Sequence, residues 1–422
     1  MVTKPKASIV GVGCTKFGNV LQTPEIKNKT FHELIAEAAF EAMDDAGMTG
    51  KDIDAFYIGS MQSHTSHVYS HHTQLCDWLG LQLKPCLHFA TACSTLNTGL
   101  GLAAMSVASG KFKSVLVVGA EILNSQPADN PVVRTPVDPV DLWYWTDFGV
   151  DQIYSYHHCY DVASAYGAFP TLGYAKKYGL SPEKMDEVMY HVHKAVRRHS
   201  SLNPKAFITQ DLEAAAKEKG FANSLDYWKS NNNPFFAYPT RLLSALNTVD
   251  GASAYIITKP QNAKKFNEQP IDILGFHWAA SNYPWYGKDP TDWAIDKTSF
   301  ANAYKMAGVT GKKLDYLYVH DCMQIYQLIL SEIAGYFPNE PAWKAFVDDR
   351  TMFDADKPMN TSGGRHGKGH AFGASPGAET YEIVKQMRGE ADKRQCKKEI
   401  NIAAQHNHGY GMHSAVTILK KR

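Results

Sequence analysis

Ala46-Gly47-Met48-Thr49-Gly50-Lys51-Asp52-Ile53-Asp54-Ala55-Phe56-Tyr57-Ile58 has a copy further along the chain. It is Ala307-Gly308-Val309-Thr310-Gly311-Lys312-Lys313-Leu314-Asp315-Tyr316-Leu317-Tyr318-Val319. Seven of the thirteen pairs are identical, and the Met/Val, Ile/Leu and Ile/Val pairs keep the apolar pattern. Both copies fall where a helix ends at Ala-Gly, a polar turn follows and an apolar strand begins. A match at the same helix–loop–strand position points to an internal duplication with a large insertion between the copies.

Working outward from the first copy, Ala7-Ser8-Ile9-Val10-Gly11-Val12-Gly13 is a continuous apolar run of the kind buried on both faces of a sheet. Gly11 and Gly13 do not make a dinucleotide-binding loop, because Lys16 stands where its third glycine belongs. Residues 30–45 carry Leu34, Ala38, Phe40 and Ala42 at helical spacing, and residues 55–59 and 114–120 read as strands. Strands alternating with helices predict an α/β fold with a mostly parallel, helix-covered sheet. The alternation breaks over 121–246, where aromatics cluster, Pro131, Pro136 and Pro139 intervene and 182–200 reads as a helix. A strand-like run returns at 250–257, and the second series starts with Ile271-Asp272-Ile273-Leu274. The expected division is an N-terminal half from 1–122 plus 247–265, an inserted loop domain over 123–246, and a C-terminal half over 266–422.

Composition narrows the function. A chain of 422 residues is long enough for two or three domains. Its 43 Lys+Arg against 42 Asp+Glu argue against nucleic acid or an anionic membrane as a bulk partner. No uninterrupted apolar run approaches the ~20 residues of a membrane span. The seven cysteines are odd in number and scattered, with no Cys-x-x-Cys pair. That usage fits a reducing cytoplasm and argues against a disulfide framework or a structural zinc site. His64, His67 and His71 recur at i, i+3 and i+7, a spacing that suits a metal site. No acidic residue is interleaved, which favours a polar interface helix and no metal.

Four turns carry chemistry. In Phe89-Ala90-Thr91-Ala92-Cys93-Ser94-Thr95 a strand gives way to a polar turn and an Ala-rich helix, placing the Cys93 thiol at a helix start, where free N–H groups favour the thiolate. His320-Asp321-Cys322-Met323 directly follows the second copy's strand. Asn360-Thr361-Ser362-Gly363-Gly364 leads to Gly369-His370-Ala371, and Gln405-His406-Asn407-His408-Gly409 lies near the C-terminus. A Cys with several His in such turns is the minimum for thiol-based acyl transfer, in which imidazoles move protons and N–H groups hold an oxyanion.

These motifs in this order resemble the thiolase superfamily, most closely the thiolases of sterol-carrier-protein type. The carrying residues are Ala92-Cys93-Ser94, Asp250-Gly251-Ala252-Ser253-Ala254, His320-Asp321-Cys322-Met323, Asn360 with Gly363-Gly364, and Gly369-His370-Ala371. The resemblance implies a thiolase fold of duplicated αβαβα halves in a five-layered core with an inserted loop domain, as a homodimer or tetramer. It implies Cys93 as the acylated nucleophile, His370 as its activating imidazole and Cys322 as the acid/base. His320, His370 and the N–H groups of Cys93 and Gly409 become oxyanion donors. The implied reaction is reversible Claisen cleavage of a 3-ketoacyl-CoA, with coenzyme A as co-substrate and no tightly bound cofactor. Asn407-His408-Gly409 stands where classical thiolases have Cys-x-Gly, which leaves Cys322, or else His408, as the acid/base. Aromatics over 143–148 and 154–160 suit a bulky acyl group such as benzoylsuccinyl, or equally an oligomer contact. Some relatives work with a small zinc-binding OB-fold partner subunit. The alternatives are a hydroxymethylglutaryl-type condensing enzyme of this fold, or a non-catalytic acyl-CoA-binding subunit. Arg197, Arg198 and Lys205 offer positive charge for CoA phosphates, or simply a solvated helix face.

Overall fold

The computed structural model describes residues 3–61, 70–123, 167–281, 293–409 and 413–422. The strands are β1 (Ala7–Cys14), β2 (Ala55–Gly59), β3 (Cys86–Phe89), β4 (Ser114–Glu121), β5 (Phe235–Ala237), β6 (Thr240–Arg241), β7 (Gly251–Thr258), β8 (Ile271–Ala280), β9 (Tyr316–Tyr318), β10 (Ile402–Gly409) and β11 (His413–Lys421). The helices are α1 (Phe31–Asp45), α2 (His71–Trp78), α3 (Thr95–Ala108), α4 (Phe169–Tyr178), α5 (Pro182–Ser201), α6 (Leu212–Glu218), α7 (Ser224–Lys229), α8 (Ala294–Ala307), α9 (Ile325–Ile333), α10 (Ala342–Val347) and α11 (Ser375–Arg388).

Nine strands form one sheet in the order β3-β2-β4-β7-β1-β8-β11-β10-β9, while β5 and β6 pair apart from it. The order repeats about the β1–β8 seam. On one side β1–β7 and β7–β4 are antiparallel and β4–β2 and β2–β3 parallel. On the other, β8–β11 and β11–β10 are antiparallel and β10–β9 parallel, and a parallel Leu317–Met359 bridge stands where a fifth strand would pair. The duplication is thus written in the strand order. The mostly parallel sheet expected from the alternation is corrected to a mixed one, because β7 returns antiparallel after the long excursion and β10 turns directly into β11. The halves also share one sheet, since Ala7, Ser8 and Ile9 pair with Ile273, Asp272 and Ile271.

Side-chain alternation builds the layers. Phe56, Ile58, Leu116 and Val118 face outward onto Leu34, Ala38 and Ala42 of α1. Tyr57, Val117, Tyr255, Tyr316 and Tyr318 face inward, meeting Leu96, Leu100 and Ala103 of α3 and Ile383 and Val384 of α11. Leu317, Val319, Val416 and Ile418 face outward again, onto Phe300 and Ala303 of α8 and Ile325 and Leu328 of α9. Helix, sheet, paired helices, sheet and helix are the five layers. The outer helices press on the strands through glycine. A Cβ on Gly11 would lie 2.0 Å from the Ala42 carbonyl oxygen of α1, and one on Gly275 would lie 2.5 Å from the Ala303 oxygen of α8. This close packing explains the first-strand glycines. Helix α1 starts with a capping box between Thr30 and Glu33, close to the boundary read from periodicity. No helix among the described residues is long and apolar enough to cross a membrane.

Candidate active site

Five residues separate the two elements that hold Cys93, with β3 ending at Phe89 and α3 beginning at Thr95. Ala92 sits in the left-handed region (φ 51°), a strained conformation for a residue with a Cβ. The surrounding turn keeps it there. Ser94 Oγ donates to the Thr91 carbonyl (2.6 Å), and Thr95 Oγ1 donates to that of Ala92 (2.6 Å). Cys93 is buried at the start of α3, against Met61 and Phe372. Gly409, the end of β10, closes over this turn: a Cβ there would lie 2.7 Å from the Thr91 oxygen and 3.0 Å from Ser94 Oγ. Its backbone therefore stands directly beside the thiol's turn.

The second copy brings its own loops to the same place. Asn360 Oδ1 accepts from the Val319 N–H and its Nδ2 donates to the Val319 carbonyl, both at 2.9 Å, which fixes the strand end before His320. The Asp321 carboxylate accepts from the Arg365 N–H (3.0 Å) and Gln327 Nε2 (2.9 Å). Only glycine fits at 364, where φ is +56° and a Cβ would lie 1.9 Å from Asp321 Oδ2. The His-Asp-Cys loop and the Gly-Gly loop are thus interlocked. His320 Nδ1 accepts from the His408 N–H (3.2 Å), which assigns its proton to Nε2. Cys322 is buried, and burial pushes its thiol up to about 12.

His370 precedes α11, its Nδ1 2.9 Å from Ser375 Oγ. Its Nε2 is buried and has no hydrogen-bond partner among the described residues. The His370 and His320 rings stand 6.1 Å apart at 89°, and Phe372 joins His370 (4.9 Å) to the Cys93 pocket. The starts of α11 and α3 touch, since a Cβ on Gly373 would lie 3.3 Å from Thr95 Cβ and one on Gly377 would lie 2.6 Å from Leu96 Cδ1. Between the loops lies Arg365, fully buried, with Nη2 2.8 Å from Glu379 Oε1. Lys368 Nζ stands 4.0 Å from the same oxygen. Burial first, and Arg365 second, hold the imidazoles of His320 and His370 well below their usual range, so both are neutral at pH 7.

Two family models cover most of this architecture: Thiolase, N-terminal domain, over residues 7–200 and Thiolase C-terminal domain-like over 286–421. The chain belongs to the thiolase family. An acetyl-CoA acetyltransferase of Methanothermobacter thermautotrophicus is 29% identical over 405 residues, covering 95% of this chain and 96% of that protein. Sterol carrier protein 2 of Bos taurus is 26% identical over 430 residues, covering 98% of this chain and 72% of its own. A solved Ltp2-ChsH2(DUF35) aldolase shares the fold with a TM-score of 0.76 at 18% identity, over 100% of this chain and 99% of that one. With the family comes acyl transfer as the class of chemistry.

In this thiolase Cys93, His320, Cys322, His370 and Gly409, each predicted from a turn motif, surround one place. Arg197, Arg198 and Lys205 are engaged elsewhere: Arg197 donates to the Gln210 carbonyl, Arg198 pairs with Asp354 and Lys205 with Glu41. Of the three regularly spaced histidines, His71 is buried against the Phe31 ring (centroids 4.6 Å apart), while His64 and His67 lie outside the described residues. The aromatic stretches 143–148 and 154–160 also lie outside them.

Sequence reading missed three groups. Glu121, at the end of β4, is fully buried; its Oε1 accepts from the N–H groups of Met61 (2.7 Å) and Gly373 (3.2 Å), tying together both sides of the Cys93 pocket. Arg365 is the second, a charge inside a Gly-rich turn, which was its one available signal. The third is Asp296 near the start of α8, whose Oδ1 lies 2.8 Å from His406 Nε2 and 3.1 Å from His408 Nδ1. The trio has a donor set that suits a metal, with ligand-type atoms within 4.8 Å of one another. Both imidazoles, however, direct the nearer nitrogen at one oxygen of Asp296, so hydrogen bonds close the trio on itself. Burial raises Asp296, but the two imidazoles outweigh it and hold the carboxyl far below its usual range.

Proposed function

We propose that this chain is a CoA-dependent thiolase that cleaves a 3-ketoacyl-CoA through an acyl-enzyme on Cys93. One observation carries the reading: loops from both copies of the duplicated unit meet where α3 begins, with His370 and His320 at right angles beside the Cys93 pocket. His370 Nε2, neutral and without a hydrogen-bond partner among the described residues, takes the thiol proton. The thiolate attacks the keto carbon, and the N–H groups of Cys93 and Gly409 hold the oxyanion. The carbon–carbon bond breaks and the departing thioester enolate, held by His320 Nε2–H, takes a proton from Cys322. A thiol raised to about 12 is fully protonated at pH 7 and so suits a proton donor. CoA then enters, loses its thiol proton and removes the acyl group from Cys93. Coenzyme A is the co-substrate in this scheme, and no bound cofactor is called for.

The curated relative named acetyl-CoA acetyltransferase supports the reaction class, and the six free cysteines of the described residues accord with a cytoplasmic setting. The named pairing of Ltp2 with ChsH2(DUF35) supports a partner subunit, while the homodimeric or tetrameric core is proposed on the family resemblance alone. The test is CoA-dependent cleavage of a panel of short-chain and aromatic 3-ketoacyl-CoAs, benzoylsuccinyl-CoA among them, with and without any co-purifying subunit. An acyl adduct on Cys93, lost in Cys93→Ser by mass spectrometry, is the expected result. Failure to cleave the whole panel, or an adduct that persists in the variant, overturns the proposal.

A further inference from the structure

The scheme above requires a proton to reach the enolate and another to leave CoA, and Cys322 alone serves this poorly. Once it has given its proton, burial that holds the thiol near 12 makes its thiolate costly. His320 and His370 cannot readily supply a proton, since both are buried and face the cationic Arg365. His408 differs in its contacts. Its Nδ1 meets the buried carboxylate of Asp296 at 3.1 Å, and its Nε2 is buried without a hydrogen-bond partner among the described residues. The His408 ring lies 6.0 Å from the His320 ring and 6.0 Å from Tyr326, whose hydroxyl is electrostatically coupled to Cys93 and Cys322. Asp296 accepts the Nδ1 proton, so the lone pair on Nε2 is left facing away from the carboxylate.

We infer that Asp296 and His408 form a carboxylate–imidazole relay that refills the Cys322 thiol, with Asp296 as the positioning residue and His408 Nε2 as the atom that gains and returns the proton. The inference rests on the thiolase reading. In the first half-reaction the Cys322 S–H bond breaks as the enolate C–H bond forms. The N–H bond of the His408 imidazolium then breaks as the S–H bond of Cys322 is restored. In the second half the S–H bond of CoA breaks and an N–H bond forms on His408, its charge balanced by Asp296. One proton enters and one leaves per turnover, and no other reactant is needed. The groups facing His408 are Asp296 from α8, His406 on its own strand, His413 from β11, His320 from the loop after β9 and Tyr326 from α9. Of these only Asp296 is an anion.

The experiment separates acylation from proton traffic. Wild type, Asp296→Asn, His408→Gln and His406→Gln are each given acetyl-CoA in D2O. Cys93 acetylation is followed by mass spectrometry and α-deuterium incorporation by NMR, across pH 5 to 9, with folding checked by circular dichroism. Asp296→Asn and His408→Gln are expected to acetylate Cys93 as wild type does, yet to exchange deuterium about 10²–10⁴-fold more slowly, the range lost with a general acid/base. A merely structural lesion would slow acetylation and exchange together, so the split between the two readouts marks lost proton traffic. His406→Gln keeps the Asp296–His408 contact and retains exchange. Unchanged exchange in folded Asp296→Asn and His408→Gln overturns the relay, and so does a stoichiometric metal in native protein that Asp296→Asn loses. Wild type that does not acetylate Cys93 points instead to failure of the thiolase reading.

Discussion

Glu121→Gln tests whether the Cys93 pocket is held by a neutral acid. Burial pushes the Glu121 carboxyl up to about 8 from 4.5, although the N–H groups of Met61 and Gly373 and the Ser60 hydroxyl oppose the rise. A raised carboxyl favours the folded state while it stays protonated. Its contribution is complete below the unfolded value of 4.5 and is lost as pH rises to about 8. The rise from 4.5 to about 8 corresponds to roughly 5 kcal/mol over the whole window. Glutamine keeps a carbonyl oxygen for the Met61 and Gly373 N–H groups and cannot ionise. Urea unfolding of both proteins at pH 5, 6, 7, 8 and 9 should therefore show the variant gaining on wild type with each step up to pH 8, by about 1.4 kcal/mol per unit at most. Using the difference cancels the buried histidines, which titrate alike in both. Because Met61 and Phe372 both touch Cys93, the variant should also retain Cys93 acylation at pH 7. A stability difference that is flat, or that falls as pH rises, refutes the reasoning.

Cys322→Ala should leave acylation of Cys93 measurable while turnover falls about 10²–10⁴-fold, read by comparing burst and steady-state phases. Arg365→Met leaves the buried Glu379 carboxylate with the Asn407 amide and a more distant Lys368, and should cost about 3–5 kcal/mol in denaturant unfolding. The same change removes the cation that depresses His320 and His370, so the acidic limb of the activity profile should move to higher pH. Gly275→Ala sets a methyl 2.5 Å from the Ala303 oxygen, where backbone must give way, and should cost about 1–3 kcal/mol as a lowered Tm.

The repeated stretch was legible because its constraints are local. Gly47 and Gly308 both end a helix at positive φ (59° and 68°), a 3-10 turn follows each, and β2 and β9 come next. The turns that carry Cys93, His320, Cys322 and His370 were legible for a related reason, since each sets a reactive residue beside apolar structure, whereas residues 405–409, expected as a turn, run as the end of β10. The β1–β8 seam was not, because Ala7 and Ile273 meet only through the tertiary fold and nothing in either strand names its neighbour. Glu121, Asp296 and Arg365 escaped on the same ground. A single acid or base has no spacing signature, and burial turns it from a solvated side chain into part of the site. Asp296 reaches His408 across an interface of α8 with β10 that periodicity cannot register.

The strand order bears on how such a site arises. Met359 occupies in the second half the place β3 holds in the first, so the segment leading from it to α11 matches the one leading from β3 to α3. Cys93 and His370 thus stand in the same slot of two copies, and in the proposed reaction one is the nucleophile and the other its base. Two identical units meeting about a twofold axis would have to carry both functions in both slots. Joined in one chain, each copy is free to drift toward a single task. A substitution that harms one slot then has no spare in the other, and the symmetric scaffold carries one irreplaceable, lopsided centre.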